Sequence, residues 1–315
     1  MAKPHVLQLG PYPDWDQQPL EQDFVMHKLH EAQDRAGFLR SVGPDIRAIA
    51  ARGTHKVDRA LIEACPKLEI VAVYGVGYDG VDLQACREAG VFVTNTPGVL
   101  TGDVADLGIA MMLAQSRRMI AAERWARDGD WAAKGGFALT RRVHGARAGL
   151  LGLGRIGFQV ARRLAGFDMD IAYSDVAPKD YAADWAFVAD PVALADRSDF
   201  LFVTLAATPE TRHIVGKDVL AALGPNGMLI NISRASNVDE DALLIALESG
   251  RLGGAALDVF DGEPAFNPRF LALDNVLVQP HHASGTLETR KAMGQLMRDN
   301  LTAHFARRPL LTPVQ

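Results

Sequence analysis

The chain has 315 residues, of which 48% are hydrophobic and 23% charged, the balance of an ordinary globular protein with room for two domains. Its net charge of −5, with no basic run longer than two residues, argues against nucleic acid and anionic membranes as partners. The two cysteines, Cys65 and Cys86, are too few for a disulfide framework or a cysteine metal site and indicate inert thiols in a reducing compartment. There is neither a signal-peptide pattern nor an apolar stretch of about 18 residues, so we expect a cytoplasmic protein without a membrane segment.

Strand and helix signals alternate along the first hundred residues. Strands are predicted at 5–9, 46–50, 68–74 and 91–94, and helices at 21–29, 59–65 and 81–89, with a loop of turn formers at 11–19. Residues 99–127 then have helical character, which Gly129 is expected to end. The pattern fits a helix that bridges domains or subunits and an ordinary core helix equally well.

The second part of the chain repeats the alternation with almost uninterrupted apolar strands. Strands are predicted around 148–151 and at 171–174, 199–205, 227–232, 254–259 and 275–279, and helices from 157 to about 165 and at 217–223, 239–248 and 286–305. Such strands between helices predict a parallel, doubly wound sheet. We therefore expect an α/β protein with two Rossmann-like or flavodoxin-like domains and a cleft between them.

Two segments fit the glycine spacing G-x-G-x-x-G, namely Gly75–Gly80 and Gly152–Gly157. A dinucleotide site needs a full helix after the third glycine and then a strand that ends in an acidic residue. The first motif is followed by a short helix and a strand that ends at Asn95. The second is followed by a longer helix and a strand that ends at Asp175, 18 residues past its last glycine (175 − 157) and close to the expected ~20. The second motif is the predicted dinucleotide site, and the first is interpreted as a turn whose amides face something smaller.

Each glycine of the second motif has a distinct expected role. Gly152 permits the tight turn, Gly154 lets the backbone approach a pyrophosphate, and Gly157 lets the helix lie close to its strand. The unpaired N–H groups at the start of that helix would face the phosphates.

Three polar residues follow the last three predicted strands: Arg234, Glu263 and His281. Ligands bind beyond the carboxyl ends of the strands in an open parallel sheet, so all three are expected at the dinucleotide edge. Histidine can exchange a proton near neutral pH, a neighbouring carboxylate favours its charged form, and arginine can hold a carboxylate and polarise a carbonyl. Each has an ordinary alternative, as a surface arginine, a turn glutamate and a loop histidine. Their coincidence at three successive strand ends favours hydride transfer to a carbonyl carbon.

Together these motifs resemble the D-isomer-specific 2-hydroxyacid dehydrogenase family over roughly residues 68–286. The matching segments are Gly75–Asp82 for the substrate-carboxylate loop, Asn95–Gly98 for the domain crossing, Gly152–Gly157 for the NAD fingerprint, and Asn231–Arg234 with Val238–Glu240, Leu257–Phe260 with Glu263–Pro264, and Pro280–His281 for the catalytic signatures.

The resemblance implies roles for individual residues. Arg234, Glu263 and His281 would be the catalytic set, and the amides of Val76 and Gly77 would bind the substrate carboxylate. Further cofactor contacts would come from Arg155, Ile156, Ala206, Ile232 and Asp258, the last meeting the nicotinamide carboxamide. No metal is implied. The resemblance also implies a substrate-binding domain of residues 1–98 plus 286–315, an NAD-binding domain of residues 99–285, and a homodimer built on the helix that starts near Thr101.

Residues 99–107 look most like the glyoxylate/hydroxypyruvate and hydroxyphenylpyruvate reductase branch. A carboxylate at Asp175, with no arginine beside it, would repel a 2′-phosphate, so NAD(H) is the predicted cofactor; Lys179 keeps NADP(H) open. Ala235 departs from the family's usual glycine, a small change that should be tolerated.

We therefore expect reduction of a small 2-oxo acid to the D-2-hydroxy acid, with the particular acid left open. The alternative is a dinucleotide-sensing regulator on the same scaffold, like the family's corepressors. A formate dehydrogenase is disfavoured because Glu263 stands where that branch has glutamine.

Overall fold

The computed structural model describes residues 3–314. They divide into two compact units, one formed by Thr101–Ser284 and the other by the described residues on either side of that segment. Each unit contains one parallel sheet. The expected α/β class with two parallel-sheet units is confirmed.

The first unit begins with five strands that alternate with helices. In chain order these are β1 (His5–Gln8), α1 (Asp14–Asp23), β2 (Val25–Lys28), α2 (Arg35–Val42), β3 (Ala48–Arg52), α3 (Arg59–Glu63), β4 (Ile70–Tyr74), α4 (Leu83–Glu88) and β5 (Phe92–Thr94). The sheet order β2-β1-β3-β4-β5 is that of the flavodoxin-like doubly wound fold. Its core joins strand residues such as Leu7, Ile49 and Val71 to helix residues such as Ile62 and Ala85.

The second unit opens with helices and continues as a larger sheet. Its elements are α5 (Thr101–Ser116), α6 (Met119–Arg127), α7 (Asp130–Lys134), β6 (Arg147–Leu151), α8 (Arg155–Ala165), β7 (Asp170–Ser174), β8 (Ala186–Phe187), α9 (Pro191–Asp196), β9 (Phe200–Val203), α10 (Lys217–Leu223), β10 (Met228–Asn231), α11 (Glu240–Glu248), β11 (Gly254–Leu257) and β12 (Val276–Val278). The sheet order is β12-β11-β10-β9-β6-β7-β8. The strand order reverses between β6 and β9, which is where such sheets bind their ligands.

The chain then returns to the first unit through α12 (Leu287–Phe305). Thr286 caps this helix, since its hydroxyl accepts a hydrogen bond from the Thr289 amide. The helix lies along β4, where the Tyr74 hydroxyl donates to the carbonyl of Arg290 over 2.7 Å.

Two parts of the sequence prediction were wrong in the first unit. The predicted loop at 11–19 is mostly helix α1, which starts after Pro13, has Asp14 and Asp16 in its first turn, and contains Pro19. An internal proline removes one helical hydrogen bond without ending this helix. Of the predicted helix at 21–29, only residues 21–23 are helical, as the end of α1. Residues 25–28 form the edge strand β2, whose side chains are exposed or partly buried and so lack a clear hydrophobic pattern.

The long helix predicted at 99–127 is broken in the structure. α5 ends at Ser116 and α6 starts at Met119, because Arg118 has a φ of 47°. A left-handed residue cannot continue a right-handed helix, and an arginine gives no sequence signal for that conformation. The sequence prediction also lacked α2, α7, α9 and the two-residue strand β8. No helix within residues 3–314 is long and apolar enough to cross a membrane.

Candidate active site

The three predicted catalytic residues follow adjacent strands of the second unit. Arg234 comes after β10, Glu263 after β11 and His281 after β12. These strands are neighbours and parallel, so their carboxyl ends lie at one edge of the sheet. The same edge carries the carboxyl ends of β6 and β7, where the second glycine motif and Asp175 lie.

Glu263 and His281 form a direct pair. The Oε2 atom of Glu263 lies 2.6 Å from Nδ1 of His281, and Oε1 accepts a 2.7 Å hydrogen bond from the Phe260 amide. Burial raises the pKa of Glu263, but the hydrogen bonds from His281 and Phe260 and the charges of His281 and Arg234 outweigh it, so the pKa lies below its ordinary value. The carboxylate is therefore ionised at neutral pH and holds the Nδ1 side of the ring, which leaves Nε2 to face a reactant.

The loop that carries Glu263 is fixed by packing and by a second carboxylate. The buried Phe260 ring stacks on Phe266 with centroids 4.3 Å apart and meets Phe270 edge to face at 5.6 Å. Glu240, at the start of α11, accepts a 2.6 Å hydrogen bond from the Asp261 amide. The position of Glu263 thus depends on a packed aromatic cluster as well as on its pairing with His281.

Arg234 lies in a turn shaped by the buried side chain of Asn231. The side-chain Oδ1 atom of Asn231 accepts from the Ser233 backbone amide (3.0 Å) and hydroxyl (2.9 Å). Its Nδ2 atom donates to the backbone carbonyl of Arg234 (3.0 Å). Asn237 donates to the Ser233 hydroxyl over 3.1 Å. The Arg234 guanidinium donates to the carbonyl of Ser233 and is close enough to affect the pKa of Glu263. The structure thus brings Arg234, Glu263 and His281 together.

Asp258 organises the backbone beside His281. It is 1% exposed, and its two carboxylate oxygens accept from the amides of His282 (2.9 Å) and Ala283 (3.0 Å). Burial raises the pKa of Asp258 against the opposing effect of these hydrogen bonds and of the two histidines. In this structure its carboxylate oxygens accept from backbone amides, whereas the family resemblance implies a contact with the nicotinamide carboxamide.

The second glycine motif has the geometry that a dinucleotide needs. Gly152 has a φ of 92°, and a Cβ at Gly157 would lie 2.2 Å from the Gly152 carbonyl oxygen, so neither position tolerates a side chain easily. A Cβ at Gly154 would meet no heavy atom within 4 Å. The first helical residues of α8 are Arg155 and Ile156, both at least partly exposed. These features fit a pyrophosphate at the start of a helix.

Asp175 lies beside that turn. Its carboxylate accepts from the amides of Leu153 (2.9 Å) and Val176 (2.8 Å) and forms a 3.0 Å ion pair with Lys179. Burial raises the pKa of Asp175, but these hydrogen bonds and the lysine outweigh it and lower the pKa below its ordinary value. The other two predicted cofactor residues follow neighbouring strands: the exposed Ala206 after β9 and the buried Ile232 after β10.

Val76 and Gly77 lie in the first unit, in the loop that follows β4. The carbonyl of Gly75 accepts from the Thr96 amide (2.8 Å), and the carbonyl of Val76 accepts from the Asn95 side-chain amide (2.8 Å). Among the described residues, no hydrogen bond from the Val76 or Gly77 amide to a protein acceptor is found.

Sequence reasoning assigned no role to several polar residues that shape these loops. Asn231, Ser233 and Asn237 are buried around Arg234, and the Thr204 hydroxyl donates to the Gly152 carbonyl over 2.6 Å. A polar residue at the end of an otherwise apolar strand was the available signal for Asn231 and Thr204. No cluster of three His, Cys, Asp or Glu side chains within residues 3–314 could hold a metal ion.

Comparison with known proteins identifies the family to which the chain belongs. Residues 109–283 match the model of the D-isomer specific 2-hydroxyacid dehydrogenase NAD binding domain. The chain is 45% identical to hydroxyphenylpyruvate reductase of Plectranthus scutellarioides over 98% of both chains. A 2-hydroxyacid dehydrogenase structure from Ketogulonicigenium vulgare Y25 is 72% identical with a TM-score of 0.94, covering 100% of this chain and 99% of that one.

A second solved structure is that of the NADPH-dependent glyoxylate/hydroxypyruvate reductase of Sinorhizobium meliloti in complex with NADP and malonate. It is 39% identical with a TM-score of 0.92, covering 99% of this chain and 97% of that one. The named relatives are reductases, and nothing among them supports the regulatory alternative. The chain belongs to the D-isomer specific 2-hydroxyacid dehydrogenase family and is an NAD(P)-dependent oxidoreductase.

Proposed function

We propose that this enzyme reduces small 2-oxo acids of the glyoxylate and hydroxypyruvate type to D-2-hydroxy acids. The observation that carries the proposal is the Glu263–His281 pair beside Arg234, at the sheet edge that also holds the glycine turn. A proton donor, a cation and a dinucleotide turn on one edge suit hydride transfer to a carbonyl that lies next to a carboxylate. The relative from Sinorhizobium is named for glyoxylate and hydroxypyruvate, and the relative from Plectranthus for the aromatic 2-oxo acid hydroxyphenylpyruvate.

The cofactor would be held by the turn between β6 and α8. Gly152, Gly154 and Gly157 let the backbone approach the pyrophosphate, and the N–H groups at the start of α8, including Arg155 and Ile156, bind its oxygens. Asp175 would bind the ribose hydroxyls, while Ala206, Ile232 and Asp258 would line the rest of the dinucleotide site. When bound in reduced form, the nicotinamide supplies the hydride that reaches C2 of the substrate.

His281 is the proton donor in this proposal. Its Nδ1–H is engaged by the Glu263 carboxylate, so Nε2 carries the proton that passes to the carbonyl oxygen as the alcohol forms. Glu263 stabilises the charged ring before transfer and orients it throughout. In the reverse reaction, the same nitrogen accepts the hydroxyl proton.

Arg234 binds the substrate through its carboxylate and its carbonyl oxygen. A guanidinium can donate two parallel hydrogen bonds to a carboxylate, and its charge stabilises the negative charge that develops on the oxygen. The amides of Val76 and Gly77 are the proposed second set of donors to the carboxylate. This assignment is supported by the two carbonyl-side hydrogen bonds that fix their peptide planes.

NAD(H) is the proposed preferred cofactor because the ionised Asp175 would repel a 2′-phosphate. The relative from Sinorhizobium is NADPH-dependent, and Lys179 lies 3.0 Å from the Asp175 carboxylate, so NADPH is the alternative to test. A homodimer built on α5 and a cytoplasmic location stay predictions from the sequence.

The test is a substrate panel. Glyoxylate, hydroxypyruvate, pyruvate and phenylpyruvate are each assayed with NADH and with NADPH, following the loss of absorbance at the reduced nicotinamide. We expect turnover of glyoxylate or hydroxypyruvate with NADH. The configuration is read from the products of hydroxypyruvate, pyruvate and phenylpyruvate, which should be D, because the product of glyoxylate has no stereocentre. Failure to reduce any of the four acids with either cofactor would refute the proposal, and an L product would refute the assigned geometry.

A further inference from the structure

The C-terminal tail of the chain pairs with the edge strand of the first unit. Pro313 forms an antiparallel bridge with Thr94 at the end of β5, and the Val314 amide donates to the Val93 carbonyl over 2.7 Å. The Asn95 amide donates to the carbonyl of Thr312 over 3.3 Å. The tail therefore lies alongside β5 and the residue that follows it.

A buried asparagine of α12 holds this tail in place. Asn300 is 0% exposed, and its side-chain Oδ1 atom accepts from the backbone amides of Leu311 (3.0 Å) and Thr312 (3.1 Å). Its amide nitrogen donates to the Thr312 hydroxyl (2.8 Å) and to the Leu296 carbonyl (2.9 Å). All four hydrogen-bonding positions of the side chain are used, which fixes its orientation.

Thr312 passes this constraint to Asn95. Its hydroxyl accepts from Asn300 and donates to the Asn95 carbonyl over 2.6 Å. The backbone of Asn95 is thus hydrogen-bonded to the tail through both its amide and its carbonyl. Its side chain reaches in the other direction and donates to the carbonyl of Val76 over 2.8 Å.

The orientation of the Gly75–Gly77 amides follows from peptide geometry. In a trans peptide, the C=O of one residue and the N–H of the next point in opposite directions. Because Asn95 holds the Val76 carbonyl, the Gly77 N–H points away from Asn95. Because the Thr96 amide holds the Gly75 carbonyl, the Val76 N–H points away from Thr96. Two consecutive amides are thereby presented to the side opposite residues 95–96.

We propose that the tail Leu311–Val314 positions the carboxylate-binding loop of this enzyme, through Thr312 and Asn95 as positioning residues. This inference rests on the proposed role of the Val76 and Gly77 amides. The ordered chain Asn300–Thr312–Asn95–Val76 fixes the peptide plane before substrate arrives, which lowers the cost of binding the carboxylate. Its effect belongs to substrate binding and not to dinucleotide binding or proton transfer.

The test removes one hydroxyl. Thr312→Val keeps the shape of the side chain but deletes both of its hydrogen bonds, whereas Thr312→Ser keeps the hydroxyl. The matched control is Thr302→Val, at an exposed position of α12. For each variant of the full-length enzyme we measure KM and kcat for the best 2-oxo acid of the panel, the inhibition constant of oxamate, the Kd of the dinucleotide and the Tm.

For Thr312→Val we expect KM and the oxamate inhibition constant to rise about three- to tenfold, the equivalent of one hydrogen bond. The value of kcat should change by less than about twofold, since the groups that transfer the proton are untouched. Thr312→Ser should restore wild-type values and Thr302→Val should keep them, with dinucleotide Kd unchanged throughout. Asn95→Ala perturbs the same chain from its other end and should raise KM in the same way.

A fall in Tm with an unchanged KM would mean that the tail only stabilises the unit, and it would overturn the inference. An equal loss of kcat and of kcat/KM would also overturn it, since that pattern places the effect in the chemical step. If wild-type enzyme reduces no 2-oxo acid, the proposed function fails and the inference falls with it. If the wild type is active and Thr312→Val keeps its KM, the inference alone fails.

Discussion

The loops after β4 and β6 have the same glycine spacing but different local structures. After β6, helix α8 begins at Arg155. The third glycine of that motif, Gly157, lies inside the helix against the Gly152 carbonyl. After β4, Val81 first pairs with Val57, and α4 begins only at Leu83. There the third glycine, Gly80, lies under a loop, since a Cβ would come 2.3 Å from the His55 carbonyl.

In the proposed function, the two loops differ in how they make backbone amides available for a negatively charged ligand. The turn after β6 uses the free N–H groups at the start of a helix, so its glycines exist to let strand, helix and ligand come close. The loop after β4 has no helix to orient its amides and relies on hydrogen bonds to its carbonyls from Asn95 and Thr96. Glycine spacing alone therefore does not define a dinucleotide site; the element that follows the third glycine decides.

The largest expected effect separates the chemistry from both glycine loops. His281→Ala should lower kcat about 10²- to 10⁴-fold, the usual range for loss of a general acid, while the Kd for NADH stays close to wild type. His281 has a φ of 50°, so His281→Asn, whose side chain tolerates that conformation, is the second variant that protects against misfolding. Stopped-flow turnover and fluorescence titration with NADH provide the two measurements.

The matched control is His144→Ala, an exposed histidine of the same unit. It should leave both turnover and NADH binding unchanged. Near-normal turnover in His281→Ala and His281→Asn would contradict the assignment of His281 as the proton donor.

The pH dependence of activity tests Glu263. Because the pKa of Glu263 lies below its ordinary value, protonation of Glu263 should not limit activity until the pH falls below the ordinary range of a glutamate, about 4.3.

An intermediate effect tests the glycine turn itself. A Cβ at Gly154 or at Gly136 would meet no protein atom within 4 Å, so alanine at either position should leave Tm nearly unchanged. Only Gly154 lies where the pyrophosphate is expected, so Gly154→Ala should weaken dinucleotide binding by about tenfold or more, corresponding to ~1.4 kcal/mol. Calorimetric titration of both variants with NADH and NAD⁺ gives the comparison.

Equal dinucleotide affinities for Gly154→Ala, Gly136→Ala and wild type would contradict the assignment of the turn. If Gly154→Ala raised the KM for the 2-oxo acid and left dinucleotide binding intact, the turn after β6 would bind the substrate carboxylate and not the dinucleotide. Either result would break the contrast between the loop after β4 and the turn after β6.

The sequence could predict the contacts that depend on strand order and local pattern. Buried apolar strands fix where β10, β11 and β12 end, and parallel pairing then brings Arg234, Glu263 and His281 to one edge. Helix length and an acid at the end of β7 were the signals that favoured the second glycine motif, which lies inside the matched NAD binding domain of residues 109–283. These inferences use either residues that lie close together in the sequence or a rule that holds for all parallel sheets.

Contacts between distant segments could not be predicted in this way. Thr312 and Asn95 are 217 residues apart and carry no pattern that pairs them, yet they share a 2.6 Å hydrogen bond. The half-exposed β2 has no alternating pattern, and the left-handed Arg118 that ends α5 is not a glycine. Such features depend on tertiary packing, which overrides local preference.

The smallest expected effect concerns cofactor choice at Asp175. Asp175→Asn removes the charge while an amide oxygen still accepts from the Leu153 N–H, and it releases Lys179 from its ion pair. We expect the ratio of kcat/KM with NADPH to that with NADH to rise about two- to fivefold, the range for a partly exposed charge interaction. The matched control is Asp184→Asn, at an exposed acid in the loop that follows β7, which should leave the ratio unchanged.

The pH dependence of this ratio sharpens the test. Because the pKa of Asp175 lies below its ordinary value, its carboxylate stays ionised and the wild-type ratio should be constant between about pH 7 and pH 9. A wild-type preference for NADPH, or a ratio that Asp175→Asn lowers, would mean that Lys179 and not Asp175 decides the cofactor. The turn after β6 would then recognise its ligand by a cation beside the helix start, and Asp175 would serve only to hold the Leu153 and Val176 amides.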